Sequence, residues 1–379
     1  MYQKMIERNQ PWIDETFAKI DAKMSKVTLR SRDKIPYTSI DGVHDSHTAP
    51  EFKGITWWTN GFWGGLNWLL YEATGNQEYR TTAENAEQMM DAAFEDFDKL
   101  HHDTGFMWHI MSGVSYRLTG NKKSRVRNLY AAALLASRYN LSGDFIRSWN
   151  GKEREGWTII DCMMNIPLLY WASREIGDTR YKQIGMAYAD MALRDHVRPD
   201  GSTVHICSHD LSTGEVIETF GGQGIAVGSC WSRGLAWGLY GFILSYIHTE
   251  KQEYLDAAKR LAHYYIANVA TTGYLPLADY RAPEEPVQYD STAAGISACG
   301  LIEIAKHVPE FEQKMYMDAA IKTLRAVDAK CCDWTDRQDA LVLMGTEAYD
   351  RGVHLPIIYG DYFFIEAMCK LKGREFLPW

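Results

Sequence analysis

Five stretches of this chain follow one plan: an apolar run of helical length, a tight turn, and a second, more polar run. They begin at Gly61, Gly105, Met164, Gly234 and Ala294. Their turns fall at Thr74-Gly75-Asn76, Thr119-Gly120-Asn121, Gly177-Asp178, Thr249-Glu250 and Val308-Pro309. In several of these, Gly or Asn supplies the left-handed backbone that ends a helix. The second runs are striped: Tyr254, Ala257, Ala258, Leu261 and Ala262 recur at three- and four-residue spacing, broken by Asp256, Lys259 and Arg260. The first runs are apolar nearly all round. That contrast predicts an inner helical layer covered on both sides and an outer layer with one wet face. A further helix over roughly 3–22 and a last one over Asp361 to Leu371 bring the total to about twelve, or six hairpins. The expectation is an all-α (α/α)6 barrel spanning residues 1–379 as one domain, with the terminal helices pairing to close the ring. An open solenoid is the alternative, but uneven repeats and long inserted connections favour closure.

Within a hairpin the turns are short; between hairpins the connections are long, roughly 25–60, 97–104, 140–160, 195–232, 269–292 and 329–358. In a closed ring they emerge at one rim and lead into the inner helices. Long connections without structure of their own are usually functional, so one funnel is expected there. Unusual residues cluster where that funnel belongs: Trp57-Trp58, His101-His102-Asp103, Trp149, Asp161, His205, Gln223, Trp231, Arg233, Trp237, Asp290 and Asp361.

Composition narrows the function. A net charge of −9 with scattered Lys and Arg argues against nucleic acid or an anionic membrane as partner. The N-terminal stretch lacks the apolar core of a signal peptide, and no run is long enough to span a bilayer. Seven cysteines with no CxxC spacing read as reduced thiols of a cytoplasmic protein. No phosphate loop, dinucleotide fingerprint or nucleophile elbow is present, so no cofactor is expected. Nor is a metal, because no spaced ligand set exists and the adjacent side chains of His101 and His102 should diverge.

A rim rich in Trp with interspersed carboxylates suits carbohydrate, whose C–H faces stack on indole while its hydroxyls need polar partners. Trp63 and Trp68 fall at helical positions and read as core; Trp58, Trp149 and Trp237 lie near loop–helix junctions and are the stacking candidates. Asp161 sits in an almost wholly apolar run, Ile159 to Met164, where it is either a helix cap or a carboxyl held protonated by burial. Asp103, in a polar His-His-Asp setting, should stay ionised, giving two carboxylates with divided roles. Arg233 is either the cation for an anionic substrate or a tie between loop and barrel. Asp290 and Asp361 read as caps of inner helices.

Six strings, in order, resemble the unsaturated glucuronyl hydrolases: Trp58 to Gly65, His101 to Phe106, Ile159 to Asn165, Cys230 to Phe242, Tyr289 to Ala305 and Tyr359 to Ala367. The resemblance implies hydration of the C4=C5 double bond of a 4,5-unsaturated uronic acid at the non-reducing end of a lyase-generated oligosaccharide. It implies Asp161 as acid/base and Asp103 as second carboxylate. It also implies Trp58, His102, Trp149, His205, Gln223, Arg233 and Trp237 as substrate contacts. Asn60 stands where relatives carry Asp, and Thr346 to Pro356 lacks the Ser/Lys motif that some members use for sulfated sugars. The alternatives are an unsaturated rhamnogalacturonyl hydrolase, another (α/α)6 enzyme such as an inverting glycosidase or an epimerase, and a non-catalytic toroid that binds oligosaccharide.

Overall fold

The computed structural model describes residues 1–48 and 54–379; residues 49–53, part of the first expected connection, lie outside the described residues. Twelve α-helices are present among the described residues. They are α1 (Tyr2–Arg30), α2 (Gly61–Thr74), α3 (Gln77–Met89), α4 (Val114–Thr119), α5 (Lys122–Ser137), α6 (Pro167–Ile176), α7 (Thr179–Asp195), α8 (Ser232–Thr249), α9 (Gln252–Val269), α10 (Ser291–His307), α11 (Glu310–Lys330) and α12 (Ile358–Leu371).

The even-numbered helices form the inner ring. α12 packs against both α10 and α2, α10 packs against α8, and α1 closes the outer layer between α11 and α3 while touching α12. This is the expected (α/α)6 barrel, closed by its terminal helices. Inner helices are covered all round: every residue of α10 from Ser291 to Ala305 is buried, as is α8 from Ser232 to Ser245. In the outer α9 the buried set reduces to a stripe that includes Tyr254, Ala257, Ala258, Leu261 and Ala262.

The repeated turns work at both ends. Gly75, Gly120 and Gly177 close α2, α4 and α6 at φ of 75°, 72° and 73°. The following Asn76, Asn121 and Asp178 then cap α3, α5 and α7 by accepting a backbone N–H two residues on.

Three expectations are corrected. The first helix runs on to Arg30, because its apolar stripe continues through Met24 and Val27, both buried. Two inner helices begin irregularly: Gly105–Gly113 is π-helical before α4, and Ile160–Met164 is a 3-10 turn before α6. The connections also carry structure of their own. Strands β1 (Ser39–Ile40) and β2 (Val43–His44) form one hairpin, and β3 (Tyr139–Asn140) and β4 (Phe145–Ile146) another. β5 (Trp157–Ile159), β6 (Ile206–His209) and β7 (Val216–Phe220) make an antiparallel sheet in the order 5-6-7.

The ring is tight because glycines sit where neighbouring backbones meet. A Cβ on Gly61 would stand 2.2 Å from the Phe106 carbonyl oxygen and 2.3 Å from that of Met107. Backbone cannot yield as a side chain can. Gly61→Ala is therefore expected to lower stability by about 1–3 kcal/mol through overpacking, read as a lower urea midpoint with an unchanged slope.

Candidate active site

The long connections and the first turns of the inner helices enclose a cavity of about 450 Å³. Its walls include Trp58, His102, Asp103, Trp149, Asp161, His205, Gln223 and Arg233, so eight of the nine positions singled out from sequence meet in one place. The ninth, Trp237, does not reach it. Trp237 is fully buried, its ring packed on Phe106 at 5.0 Å and Phe363 at 5.4 Å between centroids. It lies one helical turn below Arg233, about 6 Å deeper along the axis. Trp237 therefore supports the floor and offers no face to a sugar.

Asp161 stands at the end of β5 and His205 at the start of β6. The ladder pairs Ile159 with Ile206 and extends one step further through the Ile160 N–H, which donates to the His205 carbonyl at 3.1 Å. The two side chains are thereby brought together, with His205 Nε2 lying 3.6 Å from Asp161 Oδ1. The tautomer follows from the other nitrogen. His205 Nδ1 accepts the Gln223 N–H at 2.9 Å, a closer contact than the Gly221 carbonyl at 3.4 Å, so the ring proton sits on Nε2 and faces Asp161. That approach needs Gly222: its φ is +59°, and a Cβ there would stand 2.1 Å from His205 Nδ1. Asp161 is not the helix cap weighed from sequence. Its turn has no side-chain cap, and Asp161 Oδ1 is buried without a hydrogen bond. A buried oxygen without a partner among the described residues costs free energy, and Asp161 is also part of the cavity wall.

Asp103 reverses its expected behaviour. Burial first, and then the nearby Asp161 charge, push its carboxyl well above the ordinary range, only partly offset by Asn165 Nδ2, which donates to Oδ1 at 3.0 Å. Its polar sequence neighbours do not hold it ionised. His102 is driven well below its usual value by burial, and His101 down to about 4, so neither supplies a positive charge. The adjacent histidines do not diverge either: their ring centroids are 5.1 Å apart, and each ring has a nitrogen 3.3 Å from an Asp103 oxygen. His102 Nδ1–H donates to the Ser148 carbonyl at 2.7 Å, which leaves an Nε2 lone pair aimed at Asp103. The potential ligand atoms of His101, His102 and Asp103 lie within 4.8 Å of one another, a spacing able to hold a metal ion. Such an ion would have to displace the proton that burial keeps on Asp103.

Arg233 proves to be the tie. It is buried, and its guanidinium donates to Asp290 Oδ2 at 2.8 Å and to the carbonyls of Thr346 and Glu347. Its Nε, also buried, makes no hydrogen bond. Asp290 caps α10 through the Thr292 N–H, as expected. Asp361 does not cap α12; it accepts the N–H groups of Leu341 and Val342, and burial raises its carboxyl to about 7.

Sequence inspection missed several wall residues. Tyr359 opens a string already noted, Tyr359 to Ala367, without having been assigned a role, whereas Trp57 stands in the wall as its place beside Trp58 implied. Tyr37, Arg154, Trp157, Glu347 and Arg351 come from irregular connections whose sequence carries no periodic signal. Arg154 lies over the Trp157 ring at 5.4 Å, and Trp157 stacks on Phe220 at 4.5 Å.

No protein-family model matches the chain. Curated relatives do. An unsaturated glucuronyl hydrolase of Bacillus sp. (strain GL1) is 35% identical over 350 residues, covering 90% of this chain and 91% of that protein. An unsaturated chondroitin disaccharide hydrolase of Streptococcus pneumoniae is 31% identical over 345 residues, 86% of this chain and 84% of that protein. The crystal structure of the unsaturated glucuronyl hydrolase from Bacillus sp. GL1, described as responsible for the degradation of glycosaminoglycan, superposes with a TM-score of 0.86 at 31% identity. That superposition covers 94% of this chain and 96% of the other.

The buried Asp103 carboxyl has a consequence for stability. Because its folded pKa is raised, the stability that goes with its proton is full below the ordinary carboxylate range, near 3.9. It is lost as pH climbs from there through the raised value. Asp103→Asn cannot ionise. Its melting temperature is expected to gain on the wild type as pH rises from about 4 to 8; a constant difference across that range would refute a raised Asp103.

Proposed function

The chain belongs to the unsaturated glucuronyl hydrolases, and from that membership we propose how its site works. The enzyme is a glycoside hydrolase that removes the 4,5-unsaturated uronic acid from the non-reducing end of lyase-generated oligosaccharides. The bond cleaved is not attacked directly. A proton adds to C4, the resulting cation at C5 is shared with the ring oxygen, and water adds at C5. The hemiketal so formed rearranges and releases the shortened sugar.

In our assignment Asp161 delivers the proton to C4 and then takes one from the attacking water. The observation that carries it is the buried, unbonded Asp161 Oδ1, with His205 Nε2–H beside it, in the same cavity as Asp103. The chemistry needs a carboxyl proton near neutral pH. Asp103 is raised by burial and by the Asp161 charge, so the site holds a carboxyl proton on Asp103. That proton is the stock the first step draws on: it passes to C4 by way of Asp161, and Asp103 is left charged as it does so. A neutral Asp103 can donate to a sugar hydroxyl as well as accept from one. Before the step it holds the ring as a neutral group; after giving up its proton it is the second carboxylate.

Trp58 and Trp149 are assigned as apolar faces for the sugar, with His102, Gln223 and the unbonded Nε of Arg233 as polar contacts. Asp290 already pairs with Arg233, so the uronate would meet a hydrogen-bond donor more than a free cation. No described helix is long and apolar enough to cross a membrane. We assign the enzyme to the cytoplasm, because its seven cysteines are all unbridged and six of them are buried.

The assay is direct. Lyase-generated unsaturated disaccharides from chondroitin, hyaluronan, heparin, gellan and ulvan are incubated with the protein, and loss of the double bond's ultraviolet absorbance is followed. At least one substrate is expected to lose its absorbance. Asp161→Asn is expected to slow that loss by about 10²–10⁴-fold, the usual worth of a positioned acid/base. Loss at the wild-type rate in Asp161→Asn would overturn the assignment of Asp161.

A further inference from the structure

Behind the sheet that carries Asp161 and His205 lies a second, fully enclosed set of polar side chains. Successive strand residues face opposite ways. Trp157 and Ile159 of β5 and Ile206 of β6 face the cavity, while Thr158 and its cross-strand partner Cys207 face away from it, both fully buried. Against that hidden face stands the C-terminal end of α7, where His196 is the capping residue and is itself fully buried.

His196 is bonded at once to β5 and to the segment that leads into β6. Its Nδ1–H donates to the Val204 carbonyl at 3.0 Å, and its own carbonyl accepts the Val204 N–H at 2.8 Å. A carbonyl can only accept, so Nδ1 carries a proton; burial pushes the ring down to about 4 and keeps it neutral, so Nε2 accepts the Thr158 hydroxyl at 2.8 Å. Val204 is the residue before His205, and Thr158 lies three residues before Asp161. One imidazole therefore fixes the end of β5 and the start of β6 from behind. His209 adds a second fastening, with Nδ1 at 3.3 Å from the Gly156 carbonyl and Nε2 at 3.1 Å from Asp195 Oδ2. On the cavity side the His205 ring is held through Nδ1 alone, by the Gln223 N–H at 2.9 Å with the Gly221 carbonyl at 3.4 Å, and among the described residues no hydrogen bond holds Asp161 Oδ1. The spacing between them is set by the backbone, and the backbone is set from behind.

We propose that His196, through its bond to Thr158, is a positioning residue for the Asp161–His205 pair. It touches no substrate. The proposal rests on the assignment of Asp161 as acid/base. The Thr158–His196 bond holds the His205 Nε2–H close to Asp161, where it favours the charged carboxylate needed to receive the proton of water.

Thr158→Val keeps the shape and removes the hydroxyl; His196→Asn keeps a donor for the Val204 carbonyl and loses the link to Thr158. Each is expected to lower kcat by about 10-fold with KM within about twofold, and to move the limb of the kcat/KM pH profile that reports the carboxyl pair to higher pH. The double variant is expected to be no worse than the poorer single, since both remove the Thr158–His196 bond, and the further contact of the Thr158 hydroxyl, His209 Nδ1 at 3.5 Å, is lost in Thr158→Val already. Leu261→Ala, in the apolar stripe of α9, serves as a control of comparable or greater destabilisation, with kcat and pH limb unchanged. If Thr158→Val and His196→Asn lose stability but keep the wild-type kcat and pH limb, while Asp161→Asn is inactive, the positioning role is wrong and Asp161 stands. If Asp161→Asn is active, the assignment beneath the proposal has failed instead.

Discussion

Closure of the inner ring is the constraint on which the rest of the molecule depends. Six inner helical stretches can meet around one axis only if their backbones approach closely, and at Gly61 and Gly241 there is no space for a Cβ: one on Gly241 would stand 2.5 Å from that of Met163. Closure leaves the inner helices no wet face, which is why α8 and α10 are apolar over their buried lengths apart from small hydroxyls and a few paired charges. It also sends every connection into an inner helix out at one rim. Trp379 fills the interior of the ring, its ring parallel to Phe363 at 5.9 Å and its Nε1 donating to Glu366 at 3.1 Å. The cavity is thus left to be shaped by the connections, and the chemistry is set by what they carry.

The electrostatics of that rim follow from burial more than from the identity of sequence neighbours. Three titratable groups in a row, His101, His102 and Asp103, are all pushed toward their neutral forms. Arg233, the buried cation of the cavity wall, is matched by Asp290. The result is a site of hydrogen-bonding groups suited to holding a sugar ring while one proton moves. Glu347 is likewise raised by burial, against the opposing pull of Arg351. The sheet then supplies what helices cannot: two side chains from distant segments, Asp161 and His205, set at a fixed spacing by a ladder.

Much of this was legible in the sequence because it was periodic. The Thr-Gly-Asn turns act as read, Gly75 and Gly120 closing helices and Asn76 and Asn121 opening the next. Trp63 and Trp68 are core, as their helical positions implied. What was not legible is what depends on depth or on contacts between distant segments. Trp237 lies one turn too far down α8 to reach the cavity, and a helix start in sequence does not mark the height of the rim. The pairing of β5 with β6 joins residues some 50 positions apart and has no local signature. Asp103 looked solvated because its neighbours are polar, yet those neighbours are themselves buried and uncharged. Arg154 and Arg351 come from irregular strings, Lys152 to Glu155 and Tyr349 to Gly352, that carry no pattern at all.

The central claim is that a carboxyl proton from the Asp161–Asp103 pair adds to C4 of the unsaturated ring. It is tested most directly by running the reaction in deuterium oxide and following the uronic acid by NMR. The expected result is a single deuteron entering at C4 as the double bond disappears with the wild-type protein, and no incorporation with Asp161→Asn. Release of the shortened sugar with the C4=C5 bond intact and no deuterium at C4 would contradict it.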